Sequence, residues 1–226
     1  MKDVSESLAI AIVPVTPFAQ NCTVLKDRAT GRGAIVDPGG DTPRILAAVD
    51  AGGVEVERIL LTHGHVDHAG ATEAMRRALG VPVIGPHRAD GFWLDSLAHQ
   101  AAAFGLSRDT QACTPDRWLE HGDVVEVGEL RLDVLHLPGH TPGHVAFFHA
   151  PSRLAVVGDV LFQGSIGRTD FPKGDYDTLI RSITERLLPL GDDVTFLPGH
   201  GPTSTLGHER RTNPFLLDPD AYRMPR

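Results

Sequence analysis

The chain has 226 residues, 41% hydrophobic and 22% charged, the composition of a water-soluble globule with enough apolar side chains for a sizeable core. No apolar run approaches the roughly 18 residues that a membrane span requires. The net charge of −8 (21 basic, 29 acidic residues) and the lack of a Lys/Arg-rich run argue against a nucleic-acid partner, while leaving room for a small anionic substrate. Met1 to Ser7 is polar and acidic, and the apolar piece after it is broken by Pro14 and Pro17. That is unlike a secretory leader, so the expectation is a cytoplasmic protein. Its cysteines, Cys22 in a strand core and Cys113 in a loop or packing position, are then expected to be unpaired.

Leu8 to Val15 and Asn21 to Lys26 are rich in Val, Ile and Leu and predict strands, with a bend at Gln20-Asn21. Arg32 to Asp37 predicts another, closed by Pro38-Gly39-Gly40. Asp37 reads chiefly as holding a loop by hydrogen bonds, with support of a ligand as the alternative. Asp41-Thr42-Pro43 predicts a capped helix start, with the helix running to about Ala51 and stopping at Gly52-Gly53. A buried strand, Ile59 to Leu61, follows and ends at Thr62-His63-Gly64-His65-Val66-Asp67-His68.

Three histidines and an aspartate within six positions are hard to explain by packing, because such groups are costly to bury unless paired, hydrogen-bonded or metal-bound. On a helix, His63 and His65 would point to nearly opposite faces; on a loop leaving a strand they converge, and Gly64 permits that loop. The expected order is strand, ligand-bearing loop, then a helix from Ala69 to Leu79. Imidazole and carboxylate suit zinc, iron or manganese.

Further on, Pro82 to Ile84 predicts a short strand, and Pro86 to Gly105 a partly helical stretch with Trp93, Leu94, Leu97 and Phe104 on its apolar side. The isolated His87 and His99 in it are set aside. Short strands are predicted at Arg117 to Leu119, Val124 to Val127, Leu130 to Leu137, His144 to His149, Leu154 to Val157 and Val194 to Leu197. A helix capped by Asp175 should run to Leu188, and a short one should lie around Leu206 to Thr212. Leu137-Pro138-Gly139-His140 recurs as Leu197-Pro198-Gly199-His200. Each copy presents a histidine at a strand tip, which suggests the same job for both. Asp159, after Leu154 to Gly158, is a turn residue or a ligand; beside the other candidates the ligand reading is favoured. No linker breaks the chain, so residues 1–226 read as one domain.

Taken together these motifs resemble the metallo-β-lactamase-fold hydrolase superfamily. Its HxHxDH motif stands here as His63, His65, Asp67 and His68, and its later ligands match His140, Asp159 and His200. The resemblance implies an α/β fold, a four-layer αββα sandwich, and two divalent metals, zinc foremost with iron or manganese as alternatives. His63, His65 and His140 would hold one, Asp67, His68 and His200 the other, with Asp159 bridging. A hydroxide shared by the metals would attack an activated carbonyl, Asp67 would help orient it, and His144 would orient a loop or ligand from outside the metal sphere.

Gly164 to Pro172 and Pro198 to Ser204 resemble the short glyoxalase II type (hydroxyacylglutathione hydrolase), implying hydrolysis of S-D-lactoylglutathione to glutathione and D-lactate. The chain ends soon after His200, so the C-terminal helical domain of longer glyoxalase II enzymes, which helps bind glutathione there, is expected to be absent. Arg168 and Lys173 are the candidates for pairing with a substrate carboxylate. The competing expectations are a mononuclear-iron persulfide dioxygenase of the same fold, or a hydrolase of another ester, lactone or thioester. A nuclease is disfavoured by the charge, and a non-enzymatic scaffold has no use for so full a metal set.

Overall fold

The computed structural model describes residues 1–3 and 5–223. One six-stranded sheet has the order β1-β2-β3-β4-β5-β6, from β1 (Lys2–Asp3), β2 (Leu8–Val15), β3 (Gln20–Asp27), β4 (Arg32–Val36), β5 (Glu55–Leu60) and β6 (Val83–Ile84). Between these strands lie α1 (Thr42–Gly52), α2 (Val66–Ala69) and α3 (Thr72–Leu79), and after β6 come α4 (Gly91–Asp95) and α5 (Leu97–Phe104). The remaining elements are β7 (Val124–Val127), β8 (Leu130–His136), β9 (Val145–His149), β10 (Leu154–Gly158), the hairpin β11 (Leu161–Phe162) and β12 (Ser165–Ile166), α6 (Tyr176–Arg181), β13 (Thr195–Pro198), β14 (Ser204–Thr205), α7 (Leu206–Thr212) and α8 (Pro214–Leu217). A second six-stranded sheet has the order β14-β13-β10-β9-β8-β7.

Period-two alternation assigns the layers. In β9, Val145 and Phe147 point between the sheets, while Ala146 and Phe148 point to the outer face; in β10, Leu154 and Val156 point in, and Ala155 and Val157 point out. Both strands are buried on both faces, which explains their unbroken apolar runs. The inner layer joins Leu8, Leu25, Val36 and Leu60 of the first sheet to Val134, Phe147, Val156 and Leu197 of the second. Outside the first sheet, Val24, Ile35 and Ile59 pack with Ile45, Met75, Leu94 and Leu97 of the helices. Outside the second, Phe148, Val157 and Phe196 pack with Leu179, Ile183 and Leu206. The result is the expected αββα sandwich.

Four expectations shift. Gln20 is not in a bend but opens β3. The helix expected from Ala69 is two, because the Ala71 N–H leaves the helix ladder for the Pro38 carbonyl at 2.9 Å; beside it Gly70 allows the close approach, since an added Cβ would stand 2.4 Å from the Val66 carbonyl and 2.8 Å from that of Gly39. Arg117 to Leu119 is not a strand; only Arg117 bridges, to Ile84. Asp41 does not cap α1: its backbone is left-handed (φ 49°) and its carboxylate accepts from the Thr16 N–H at 2.8 Å, although Pro43 does sit in the first turn. Asp175 caps α6 as expected, accepting from the Thr178 N–H at 2.8 Å, but the helix continues past Arg181 as a wider π-turn over Ser182–Leu187.

The two sheets are stitched along one edge. The Asn21 N–H donates to the Gly199 carbonyl at 2.7 Å, and its side-chain amide donates to Pro198 and Gly201; the Val145 N–H donates to the Thr62 carbonyl at 2.8 Å. The β11–β12 hairpin near this edge hangs on Glu209 of α7, a fully buried carboxylate that accepts from Gly164 N–H (2.8 Å), Ser204 Oγ (2.5 Å) and Asn213 Nδ2 (3.0 Å). Glu209→Ala strands these donors and is expected to lower stability by about 3 kcal/mol, read as a fall in the urea midpoint without change in m.

Candidate metal centre

Every candidate ligand follows the C-terminal end of a strand: His63 to His68 after β5, His140 after β8, Asp159 after β10 and His200 after β13. Asp67 and His68 lie in the first turn of α2 rather than on the loop, so that turn swings them away from His63 and His65. The side chains meet as two groups, His63 with His65 and His140, and Asp67 with His68 and His200. Asp159 stands between them. Its Oδ2 is 3.7 Å from both His140 Nε2 and His200 Nε2, and its Oδ1 is 3.3 Å from His68 Nε2. Asp67 is 3.1 Å from His200 Nε2.

The far nitrogens of four of these histidines are each backed by an acceptor. His140 Nδ1 donates to the Arg168 carbonyl at 2.7 Å, His200 Nδ1 to that of Phe18 at 3.1 Å, and His68 Nδ1 to Asp37 at 2.9 Å. The Thr62 hydroxyl gives its hydrogen to Asp37 at 2.6 Å and therefore accepts from His63 Nδ1 at 3.0 Å. With Nδ1 protonated, His63 and His140 aim Nε2 lone pairs inward as neutral rings. His65 Nδ1 then stands 3.1 Å from His63 Nε2 and 3.0 Å from His140 Nε2. At most one hydrogen is available for these three nitrogens, whereas a cation satisfies all three. His68 Nε2 and Asp159 Oδ1 face each other, buried, at 3.3 Å without a well-aligned hydrogen bond or any other hydrogen-bond partner. The donor set fits divalent metal. A third grouping, Asp37 with His63 and His68, is a supporting set instead. Asp37 is committed to the Thr62 N–H and hydroxyl and to His68, so it does both things its position allowed, holding a loop and backing a candidate ligand.

Electrostatics separate the two groups. Burial pushes His63 and His140 down and His65 to about 3, with neighbouring imidazoles adding to the effect at His63 and His65, so the first group offers neutral rings. Burial also opposes charge on His68 and His200, but the carboxylates of Asp159 and Asp67 outweigh it and hold both above the ordinary histidine value. A cation beside Asp67, His68, His200 and Asp159 would supply the positive charge that protons otherwise bring.

His144 Nε2 accepts from the Asp159 N–H at 3.0 Å, and its ring stacks on His63 at 4.7 Å. It thus fixes the backbone that presents Asp159. Two glycines permit the close approach: Gly158 (φ 50°) in the turn before Asp159, and Gly199, where a Cβ would lie 2.1 Å from Asp159 Oδ1. The centre opens into a cavity of about 530 Å³ that Arg168 borders. Arg168 pairs through two nitrogens with Asp170 (2.9 and 2.7 Å) and lies over the Phe171 ring. Lys173 sits farther along this loop, over Phe92 at 4.1 Å, and is not among the residues bordering the cavity.

Sequence reasoning missed Asp90, a fully buried residue whose carboxylate accepts from the Gly64 N–H (3.1 Å), the Thr141 hydroxyl (2.7 Å) and the Gly143 N–H (2.6 Å). It ties the His63–His65 loop to the His140 loop. Burial pushes its carboxyl up to about 6 against the pull of those donors. Gln100 also escaped notice; it accepts from the Val66 N–H at 3.0 Å and steadies the start of α2. Asp90, followed by glycine and aromatics, reads in sequence like any helix-start aspartate.

A four-layer αββα sandwich with paired His/Asp groups at one sheet edge defines a class of metal-dependent hydrolases. The chain belongs to the metallo-beta-lactamase superfamily, whose family model it matches over residues 15–210. It is 46% identical to the hydroxyacylglutathione hydrolase GloC of Haemophilus influenzae, over 92% of this chain and 97% of that protein. Among solved structures it is similar to the B3 metallo-beta-lactamase BLEG-1 (35% identity, TM-score 0.84, 92% of this chain and 99% of that one). It is also similar to TTHA1623, solved in a di-iron-bound form (39% identity, TM-score 0.83, 91% and 100%). Among the described residues no helix is long and apolar enough to cross a membrane.

Asp90→Asn replaces one of the accepting oxygens by an NH₂ group that faces donors. Metal affinity is expected to fall roughly 10- to 100-fold, measured by titration of the metal-loaded protein against a chelator.

Proposed function

We propose that the chain, working as one domain, hydrolyses a glutathione thioester, S-D-lactoylglutathione, to glutathione and D-lactate with two divalent cations, zinc foremost and iron or manganese as alternatives. The observation that carries this reading is the placement of Asp159 between two complete His/Asp groups. The relative named as a hydroxyacylglutathione hydrolase, matched along nearly its whole length, supports the substrate class. His63, His65 and His140 would hold one cation, Asp67, His68 and His200 the other, with Asp159 shared. Such a pair lowers the pKa of a water between them and polarises the carbonyl under attack.

The chain's own groups then do the rest. Asp67, one oxygen on His200 and partly open to the cavity, orients the attacking water. His144 keeps Asp159 from turning away. Arg168, with Lys173 farther out, offers positive charge to a substrate carboxylate, which must compete with Asp170 for the guanidinium. The persulfide dioxygenase reading needs one iron and fewer ligands, so it leaves the Asp67–His68–His200 group without a use.

Wild-type protein should carry near two metals per chain and hydrolyse S-D-lactoylglutathione. His63→Ala and Asp159→Ala should each lose metal and at least roughly 10³-fold in kcat/KM; wild-type rates from either metal-analysed variant would overturn the assignment. One iron per chain, no hydrolysis and oxygen uptake with glutathione persulfide would favour the oxygenase. Arg168→Ala should raise KM for the glutathione thioester severalfold with little change in kcat; an unchanged KM removes Arg168 from binding.

A further inference from the structure

Beside the metal centre, the cavity wall is aromatic. On the His65 side, Trp93 and Phe171 lie 4.6 and 4.7 Å from the His65 ring. On the His200 side stand Phe162, Phe18 and Phe104, with Phe162 6.3 Å from the His200 ring. Phe18, in the β2–β3 turn, and Phe104, at the end of α5, meet edge to face at 5.7 Å although 86 positions apart in the chain. Both are largely exposed, at 43% and 57%. Neither ring belongs to the buried core clusters, so their apolar area in water stabilises nothing inside the molecule. The Phe18 carbonyl accepts from His200 Nδ1, which fixes this turn beside the second ligand group.

Basic side chains in the cavity are scarce by comparison. Among the described residues, Arg168 is the only Lys or Arg bordering it, and that guanidinium is already paired with Asp170. A lactoyl group has three carbons and fills little of 530 Å³. The two carboxylates of glutathione find few basic partners here.

From this we infer that the cavity favours substrates with an apolar arm of at least phenyl size, packed against the exposed face of the Phe18–Phe104 pair. The inference rests on the thioesterase reading of the same site and extends it beyond S-D-lactoylglutathione: thioesters bearing an aromatic or bulky apolar substituent are turned over faster than those with a small acyl group alone.

The test compares S-acetylglutathione, S-(3-phenylpropanoyl)glutathione and benzyl thioacetate on the zinc-loaded enzyme. At least one phenyl-bearing substrate should exceed S-acetylglutathione in kcat/KM by roughly tenfold or more. That ratio should fall toward one in Phe104→Ala and Phe18→Ala and be largely kept in Phe104→Leu. Ratios near one in the wild type, or a ratio unmoved by both alanine variants, overturn the inference. If none of the three is hydrolysed, the thioesterase reading fails, and the cavity is judged by calorimetry instead. Binding of 3-phenylpropanoate roughly tenfold tighter than propanoate, with the difference lost in Phe104→Ala, upholds the apolar subsite; equal binding overturns it.

Discussion

The structure depends on keeping five imidazoles and two carboxylates with electron-rich atoms turned toward one another, those of each group within 4.8 Å. Left to themselves these groups would turn outward to water. They are held because the far side of most rings is occupied: Thr62 behind His63, Asp37 behind His68, and the carbonyls of Arg168 and Phe18 behind His140 and His200. Each contact sets a tautomer as well as an orientation, so the direction of the lone pairs is decided by residues that never face the substrate.

Asp37, Asp90 and His144 form the layer beneath. They share a logic: each is buried, and each joins two segments that arrive from different strands. Asp37 joins the end of β4 to Thr62 and α2; Asp90 joins the loops after β5 and β8; His144, ahead of β9, joins the start of that strand to the turn after β10. Rigid strands alone would position the loops only coarsely; these crosslinks bring the precision that a metal site demands.

The architecture was legible where side-chain periodicity was strong. Strands such as β9 and β10 declare themselves by apolar runs between turns, and the ligands by their position at strand ends. The crowded stretch from His63 to His68 and the paired Pro-Gly-His tips carried the centre, and the superfamily resemblance supplied how they group. Legibility failed where a residue's meaning lies in what approaches it. Gln20 looks like part of a bend, but the register of β3 places it against His68, 3.3 Å from Nδ1. The single helix expected after His68 is broken at Ala71, whose N–H bonds the Pro38 carbonyl, a contact between segments some thirty residues apart. Asp90 and the ring of aromatic side chains around the cavity carry no local pattern, since their partners are assembled only by tertiary packing.

The hydrogen bonds of Asn21 across the sheet edge have a kinetic side. Its side-chain amide closes on Pro198 and Gly201, residues 177 and 180 positions later in the chain, among the longest loops this fold can close. Loop-closure entropy delays such contacts until most of both sheets exists. The pocket edge between β3 and β13 is therefore a late-forming feature of folding. The Asn21 amide, bonded across this seam to the Gly199 carbonyl, is therefore expected to exchange with solvent through smaller openings than the amides of β9 and β10.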